Sequence, residues 1–136
     1  MNERTPKINP TQMQQLINDW AFYADAKQHE KQVELFAENF ENLVIMPDGT
    51  RQVLNSKLEL LDGIKTALSS FKKTFHFNGQ VKFDGTHATS YCVAHHVKPD
   101  GSLLVMYIRY EDDFVVEQDN VKFGRRELNI EIIEER

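Results

Sequence analysis

The second half of the chain constrains the fold most, because four long segments there are rich in β-branched and aromatic residues. Asp84-Gly85 and Asp100-Gly101 separate the first three segments, and residues 117–120 (EQDN) separate the last two. Asp-Gly pairs between such segments are typical of tight hairpins. The sequence therefore predicts a four-stranded antiparallel meander, with the segments TFHFNGQVKF, HATSYCVAHHVK, SLLVMYIRYEDDFVVEQ and VKFGRRELNIEII as its strands.

The first half of the chain carries helical patterns instead. After Thr11, a plausible helix cap, apolar residues recur at steps of three and four on one helical face: Met13, Leu16, Ile17, Trp20 and Ala24. A second helix is predicted near residues 31–40 (KQVELFAENF), with the stripe Val33, Phe36, Ala37 and Phe40. Ser56 and Glu59 have the spacing of a capping box and predict a third helix that runs to about Ser70.

Between the second and third helices, NLVIM and RQVL read as two short strands joined by a PDGT turn. Helices that precede a sheet define an α+β domain. We expect three N-terminal helices packed on a strongly curved antiparallel sheet, forming a cone with an internal, mostly apolar pocket. The whole chain, residues 1–136, is predicted to be a single domain, with residues 1–9 as a flexible leader.

Charge and composition exclude several classes of function. A net charge of -5 disfavours nucleic acid, which selects basic surfaces. No apolar run approaches the roughly 20 residues of a membrane span, and the N-terminus lacks the apolar stretch of a secretory signal, so we expect a cytoplasmic protein. A single cysteine, Cys92, favours neither a disulfide nor a zinc site. Phosphate-binding loops and nucleotide fingerprints are absent, and no cofactor is expected.

His76 is the residue of the meander that most suggests chemistry, because it stands between Phe75 and Phe77 on a predicted strand. Strand alternation places Thr74, His76 and Asn78 on one face and the two phenylalanines on the other. A histidine can accept and return a proton near neutral pH. The alternative is a histidine of the sheet wall that only hydrogen-bonds a neighbour.

The sequence resembles the SnoaL-like group of the nuclear-transport-factor-2-like superfamily over roughly residues 9 to 132. The segments that carry the resemblance are DWAFYADAKQHEKQVELF, FHFNGQVKFDGTHATSY and MYIRYEDDFVVEQDNVKFGRRELNI. The sequence is most similar to the scytalone-dehydratase-like and polyketide-cyclase-like branches. That resemblance implies a proton-transfer histidine at His76, paired with an aspartate near the end of the first helix. Gln28 stands where the aspartate is expected, and Asp25 lies one helical turn earlier, as a less suitable acid or base.

The resemblance also implies further residues of the pocket. Tyr23 is a candidate second catalytic residue by its location, and either His95 or His96 matches a second histidine. These two adjacent histidines point to opposite faces of a strand, so they do not predict a metal site. Arg126 matches an arginine of the family and is expected in an ion pair across the sheet, whereas Glu111, Asp112 and Asp113 are expected at a solvated edge. The residues predicted to line the pocket or to orient a substrate are Trp20, Gln28, His95, His96, Tyr107 and Tyr110.

Two functions are compatible with this pattern. The first is a cofactor-independent dehydratase or isomerase that acts on a small hydrophobic, possibly cyclic, hydroxylated or carbonyl compound with His76 as general acid and base. The second is a non-catalytic domain that binds an apolar ligand or forms a dimer, which the glutamine at position 28 favours. In both cases we expect a homo-oligomer, a dimer rather than a trimer, with no nucleic-acid or membrane partner.

Overall fold

A computed structural model describes residues 7–136, which form three helices and six strands. Two helices come first, two strands precede the third helix, and four strands follow it. The helices are α1 (Pro10–Asp25), α2 (His29–Glu34) and α3 (Lys57–Leu68). The strands are β1 (Phe36–Ile45), β2 (Arg51–Leu54), β3 (Lys73–Asp84), β4 (His87–Val97), β5 (Leu103–Glu117) and β6 (Asn120–Glu135). The α+β class predicted from the sequence is confirmed.

The structure confirms the predicted cap of α3 but places the cap of α1 at a different residue. Asn9, not Thr11, caps α1, because its side chain accepts a hydrogen bond from the backbone of Gln12 while the Gln12 side chain accepts one from the Asn9 backbone. Ser56 caps α3 as predicted and accepts a hydrogen bond from the backbone of Glu59 at 3.2 Å. Of the predicted leader, residues 1–6 lie outside the described residues. Ile8 packs against the core.

The second helix is shorter than predicted, and the predicted helix over residues 31–40 is wrong beyond Glu34. Val33, Phe36, Ala37 and Phe40 are all buried, but the last three belong to β1. The pairing of β1 is irregular between Phe36 and Glu41. An irregular strand can turn neighbouring side chains to the same side, so its buried residues imitate the spacing of a helical stripe.

The four predicted strands of the meander are confirmed as β3 to β6. Asp84 pairs with His87 and Glu117 pairs with Asn120, so a two-residue loop closes each of these hairpins. Gln118 and Asp119 both adopt positive φ angles (50° and 66°), as a tight hairpin with a primed turn requires.

The sheet has the order β2-β1-β6-β5-β4-β3, and it is mixed rather than wholly antiparallel. β1 runs parallel to β6, with Glu41 opposite Arg125 and Ile45 opposite Asn129. The prediction of an antiparallel sheet is wrong at this pair. Turn residues in the sequence indicate the pairing only of strands that a hairpin joins, and no hairpin joins β1 to β6. Most of the chain lies between β1 and β6.

The helices cover one face of this sheet. Their main contact is an aromatic and aliphatic core in which Trp20 meets Phe36 edge-on at 5.7 Å and Phe36 lies 5.2 Å from Phe123. A second apolar cluster continues along the inner face of β4, β5 and β6, with Cys92, Ala94, Ile108, Tyr110 and Ile130. None of the helices within residues 7–136 combines the length and apolar character needed to cross a membrane.

Candidate active site

His76 points inward from β3, and its two phenylalanine neighbours point outward. The side chain of His76 is 8% exposed, whereas Phe75 and Phe77 are 38% and 59% exposed. The two rings stack on each other on the outer face, with centroids 6.2 Å apart. The predicted alternation is therefore present, and the structure identifies the histidine face as the inner one.

Asp25, the last residue of α1, is the direct partner of His76. Its Oδ1 lies 2.7 Å from His76 Nδ1, and its Oδ2 accepts a hydrogen bond from the His76 backbone at 2.9 Å. The Thr74 hydroxyl donates a further bond to Oδ1 at 2.9 Å. Three hydrogen bonds therefore join the end of α1 to the start of β3 and fix the carboxylate against the imidazole.

The prediction that Gln28 occupies the position of the acid is therefore wrong, and Asp25, predicted as the less suitable acid or base, is the carboxylate beside His76. α1 ends at Asp25, and Lys27 adopts a positive φ of 57°, which changes the direction of the chain. Gln28, predicted to line the pocket, consequently lies outside α1. It precedes α2 as an exposed residue.

The Asp25 contact also fixes the protonation of the pair. Burial alone would raise the pKa of Asp25, but hydrogen bonds from the side chain and backbone of His76, and from Thr74, outweigh it and hold the pKa below its usual range. An ionised carboxylate only accepts hydrogen bonds, so Nδ1 of His76 carries the proton that faces it. In the neutral imidazole, Nε2 is then the basic nitrogen.

His96 is the second histidine on the inner face. Its ring meets that of His76 edge-on with centroids 5.9 Å apart, and it is 4% exposed. Nδ1 donates a hydrogen bond to the Leu104 carbonyl at 3.2 Å. Burial lowers the pKa of His96, so the ring is neutral at neutral pH and its Nε2 is an acceptor.

A cavity of about 290 Å³ adjoins both histidines, between the helices and the inner face of the sheet. This volume is near the lower end of the roughly 300–1,000 Å³ of small-molecule sites. Trp20, Tyr110, His76 and His96 line it. The rest of the wall is mainly aliphatic, with Leu54, Leu60, Ile64, Leu68, Ile108, Leu128 and Ile130 among its members.

Four of the candidate residues lie elsewhere. Tyr23 packs against the core, and its ring meets that of Phe22 edge-on. Gln28 is exposed and immediately precedes α2. His95 faces the outer side of β4, where its ring lies 5.7 Å from that of Phe77. Tyr107 lines a smaller cavity on that outer side, and its hydroxyl donates a hydrogen bond to Glu134 at 3.3 Å.

A buried ion pair lies next to the cavity. Arg126 Nε is 3.0 Å from Asp112 Oδ1, directly across the β5–β6 pair, as the predicted ion pair across the sheet requires. The guanidinium also stacks over Tyr110 at 3.7 Å and lies 5.0 Å from the ring of Trp20. Asp112 is fully buried, so its placement at a solvated edge is wrong. Burial raises its pKa to about 6, although the charge of Arg126 opposes this shift.

Sequence reasoning missed two buried amides of the cavity wall. Gln32 on α2 accepts a hydrogen bond through Oε1 from Nδ1 of His29 at 2.7 Å and donates one through Nε2 to the Trp20 carbonyl at 3.3 Å. Asn42 on β1 is 3% exposed. Strand alternation from Phe40 would have placed Asn42 inside, but Phe40 was assigned to the second helix and only the following segment NLVIM to a strand. Within residues 7–136, no group of three histidine, cysteine or acidic side chains is arranged to hold a metal ion.

Comparison with known proteins identifies the class. The sequence of residues 10–127 matches the SnoaL-like domain, and the chain therefore belongs to the SnoaL-like domain family. Solved structures of a candidate scytalone dehydratase and of hexachlorocyclohexane dehydrochlorinases share its fold. None of the curated proteins compared with the chain matches its sequence.

Several solved structures share the fold at low sequence identity. A candidate scytalone dehydratase from Novosphingobium aromaticivorans is 22% identical, with a TM-score of 0.78 over 91% of this chain and 85% of that one. The hexachlorocyclohexane dehydrochlorinase LinA-type3 from Novosphingobium barchaimii is 10% identical, with a TM-score of 0.79 over 93% and 88%. The beta subunit of a candidate aromatic-ring-hydroxylating dioxygenase from Novosphingobium aromaticivorans is 17% identical, with a TM-score of 0.73 over 91% and 90%.

Proposed function

We propose that the protein is a cofactor-independent lyase or isomerase that acts on a small, mainly apolar molecule by general acid–base catalysis. The observation that carries this proposal is the 2.7 Å contact between Asp25 Oδ1 and His76 Nδ1 beside the cavity. A histidine that is oriented by a carboxylate through one nitrogen offers the other nitrogen as a base.

In the proposed reaction, Nε2 of His76 removes a proton from a carbon next to a carbonyl group. The electron pair of the broken C–H bond becomes the new double bond. In a dehydration, the hydroxyl group on the neighbouring carbon leaves and takes the proton back from the imidazolium as water. In an isomerisation, the same proton returns to a different carbon. Asp25 stabilises the imidazolium that forms between the two transfers.

The surrounding residues suit this chemistry. We propose that the cavity is the substrate pocket of a cone-shaped fold, closed by α3 on one side and by the sheet on the other. Its aliphatic wall would exclude water and hold the reacting carbon near His76. The neutral ring of His96 would accept a hydrogen bond from a substrate hydroxyl. Tyr23 does not line the cavity, so it has no role in this mechanism.

The structural neighbours agree with an elimination. The names of two of them describe loss of water and loss of hydrogen chloride, and neither reaction requires a redox cofactor. Their sequence identity to this chain is low, so they support the type of reaction through the fold and leave the substrate open.

Proton exchange tests the proposal without the natural substrate. The probe is 1-tetralone, a bicyclic ketone of suitable size, and its α-protons are followed by NMR in deuterated buffer. We expect the protein to accelerate exchange and His76→Asn to reduce the rate by about 100-fold or more. His95→Asn is the matched control, because this adjacent histidine faces the outer side of the sheet. Unchanged exchange in His76→Asn would remove the central residue of the mechanism.

We also propose that two copies of the chain associate through the outer face of the sheet. Phe75, Phe77 and Tyr91 are exposed together there, and Ile132 is 58% exposed on the neighbouring part of the face. Exposed apolar patches of this kind mark interaction surfaces. The beta subunit among the structural neighbours is by its name part of a larger assembly, which supports association on this fold.

A further inference from the structure

Asn42 is a polar residue of the cavity wall whose amide oxygen has no hydrogen-bond partner among the described residues. It is 3% exposed, and its Oδ1 is buried without a hydrogen-bond partner among residues 7–136. Gln32, the other buried amide of the wall, is bonded to Trp20 and to His29. A buried polar atom without a partner costs roughly 1–3 kcal/mol, so native proteins retain few of them.

The neighbours of Asn42 on the sheet leave its amide free. Asn42 lies opposite Leu54 of β2 and opposite Arg126 of β6. Leu54 has no polar side-chain atom, and Arg126 forms an ion pair with Asp112 at 3.0 Å and lies 3.7 Å from the Tyr110 ring, although its Nη1 is also buried without a hydrogen-bond partner. Without a partner to fix its orientation, the amide can present either its oxygen or its nitrogen to the cavity.

The sheet order separates Asn42 from the proton-transfer pair by three strands. Asn42 is on β1 and His76 is on β3, and the strands β6, β5 and β4 lie between them. The cavity residues contributed by β6 and β5 are mostly apolar: Leu128, Ile130, Met106 and Ile108. A ligand that fills the cavity therefore meets a polar group at each end and an apolar wall between them.

The residues of the cavity wall also favour an uncharged ligand. Within the described part of the chain, none of the residues that line the cavity is an aspartate, glutamate, lysine or arginine. A charged ligand would lose its hydration without gaining a counter-ion, which is strongly unfavourable in an apolar site.

We infer that Asn42 is a specificity-determining residue that hydrogen-bonds a hydroxyl group at the end of the substrate remote from the reacting carbon. The substrate is accordingly an uncharged, mainly apolar molecule with a carbonyl-bearing end at His76 and a hydroxyl group at Asn42. A hydroxyl can both donate to Oδ1 and accept from Nδ2, so it satisfies the amide in either orientation. This inference rests on the proposed function and names the class of substrate.

The test compares two probes that differ by one hydroxyl group at the far end of the ring system, 1-tetralone and 6-hydroxy-1-tetralone. Their affinities are measured by calorimetry at about pH 6, where the phenol is uncharged. We expect wild type to bind the hydroxylated probe about tenfold more tightly, as one additional hydrogen bond provides. In Asn42→Leu and Asn42→Ala the two affinities should become nearly equal. Gln52→Leu is the matched control, because Gln52 is an exposed amide of the same wall.

A second measurement does not depend on the stability of the variants. In the NMR spectrum of wild type, the side-chain amide signals of Asn42 should shift with 6-hydroxy-1-tetralone and remain in place with 1-tetralone. Equal affinities in wild type, binding of neither probe, or a preference that survives in the Asn42 variants would overturn the inference. His76→Asn separates it from the proposed function: the variant should lose proton exchange and keep the preference for the hydroxylated probe.

Discussion

Asp25 and His76 are 51 positions apart in the sequence, yet their side chains meet at 2.7 Å. The contact joins the last residue of α1 to the inner face of β3, near the start of that strand. The backbone of His76 donates to the same carboxylate, so the position of the imidazole depends on where α1 ends. The helix terminus and the strand thus position the base together, and a change at either one is expected to alter its reactivity.

Asp25→Asn tests this coupling. The amide keeps the shape of the carboxylate but cannot stabilise an imidazolium, so we expect proton exchange of 1-tetralone to fall by about 100-fold while the fold is retained. Asp62→Asn, an exposed aspartate on α3, is the control and should exchange at the wild-type rate. Exchange in Asp25→Asn at the rate of this control would show that the carboxylate does not assist His76.

The same aspartate should contribute to stability in a defined range of pH. Its pKa is lower in the folded state than its usual 3.8, so folding favours the ionised form. The contribution is present above pH 3.8 and is lost as the pH falls through the lower folded pKa. Urea unfolding of wild type and Asp25→Asn should therefore show a difference at pH 5 that shrinks towards pH 2. A constant difference across this range would exclude the ionised carboxylate as its cause.

The sequence predicted the parts of this site that depend on local pattern. Alternation placed His76 opposite to Phe75 and Phe77, and the Asp-Gly pairs located the hairpins. The Asp25 contact could not be found in the same way, because it depends on the helix ending at that residue. Lys27, with its positive φ, carries no glycine or asparagine signal for such an end. Asn42 was predicted in the short strand NLVIM, but its inward face was missed because Phe36, Ala37 and Phe40 at the irregular start of β1 imitate helical spacing.

Asp112 should make the protein less stable as the pH rises through the weakly acidic range. Its folded pKa is about 6 and its usual value is 3.8, so the folded state binds the proton more tightly. Stability therefore falls between about pH 4 and pH 6, by an amount on the order of 3 kcal/mol. In Asp112→Asn this slope should disappear from the free energy of unfolding, because the amide does not titrate. Asp62→Asn should retain the slope.

His87 should contribute a pH dependence of the same direction in a higher range of pH. Its ring nitrogens lie 2.8 Å from Asp113 Oδ1 and 2.8 Å from Glu111 Oε1, so both are satisfied only when the ring is protonated. Burial alone would lower the pKa of His87, but the hydrogen bonds to the two carboxylates raise it. The stabilisation is complete below about pH 6.5 and is lost as the pH rises through the folded pKa.

His87→Gln tests this arrangement. Because the His87 side chain is 37% exposed, we expect the effect to stay below about 1 kcal/mol. The difference in free energy of unfolding between wild type and His87→Gln should be larger at pH 6 than at pH 9. His95→Gln serves as the control, since His95 contacts Phe77 instead of a carboxylate. An equal difference at both pH values would count against the protonated ring.

Phe77→Glu should separate the two copies of the proposed dimer. Phe77 is 59% exposed on the outer face and stacks on Phe75, so a charge there would be buried at the interface without a partner. Light scattering after size exclusion should give wild type at twice the molar mass of the chain and Phe77→Glu at the mass of one chain. Phe22→Glu is the matched control, because Phe22 is 67% exposed on α1, which covers the opposite face of the sheet. A wild type that is monomeric at micromolar concentration, or a Phe77→Glu protein that remains dimeric, would rule out this face as the interface.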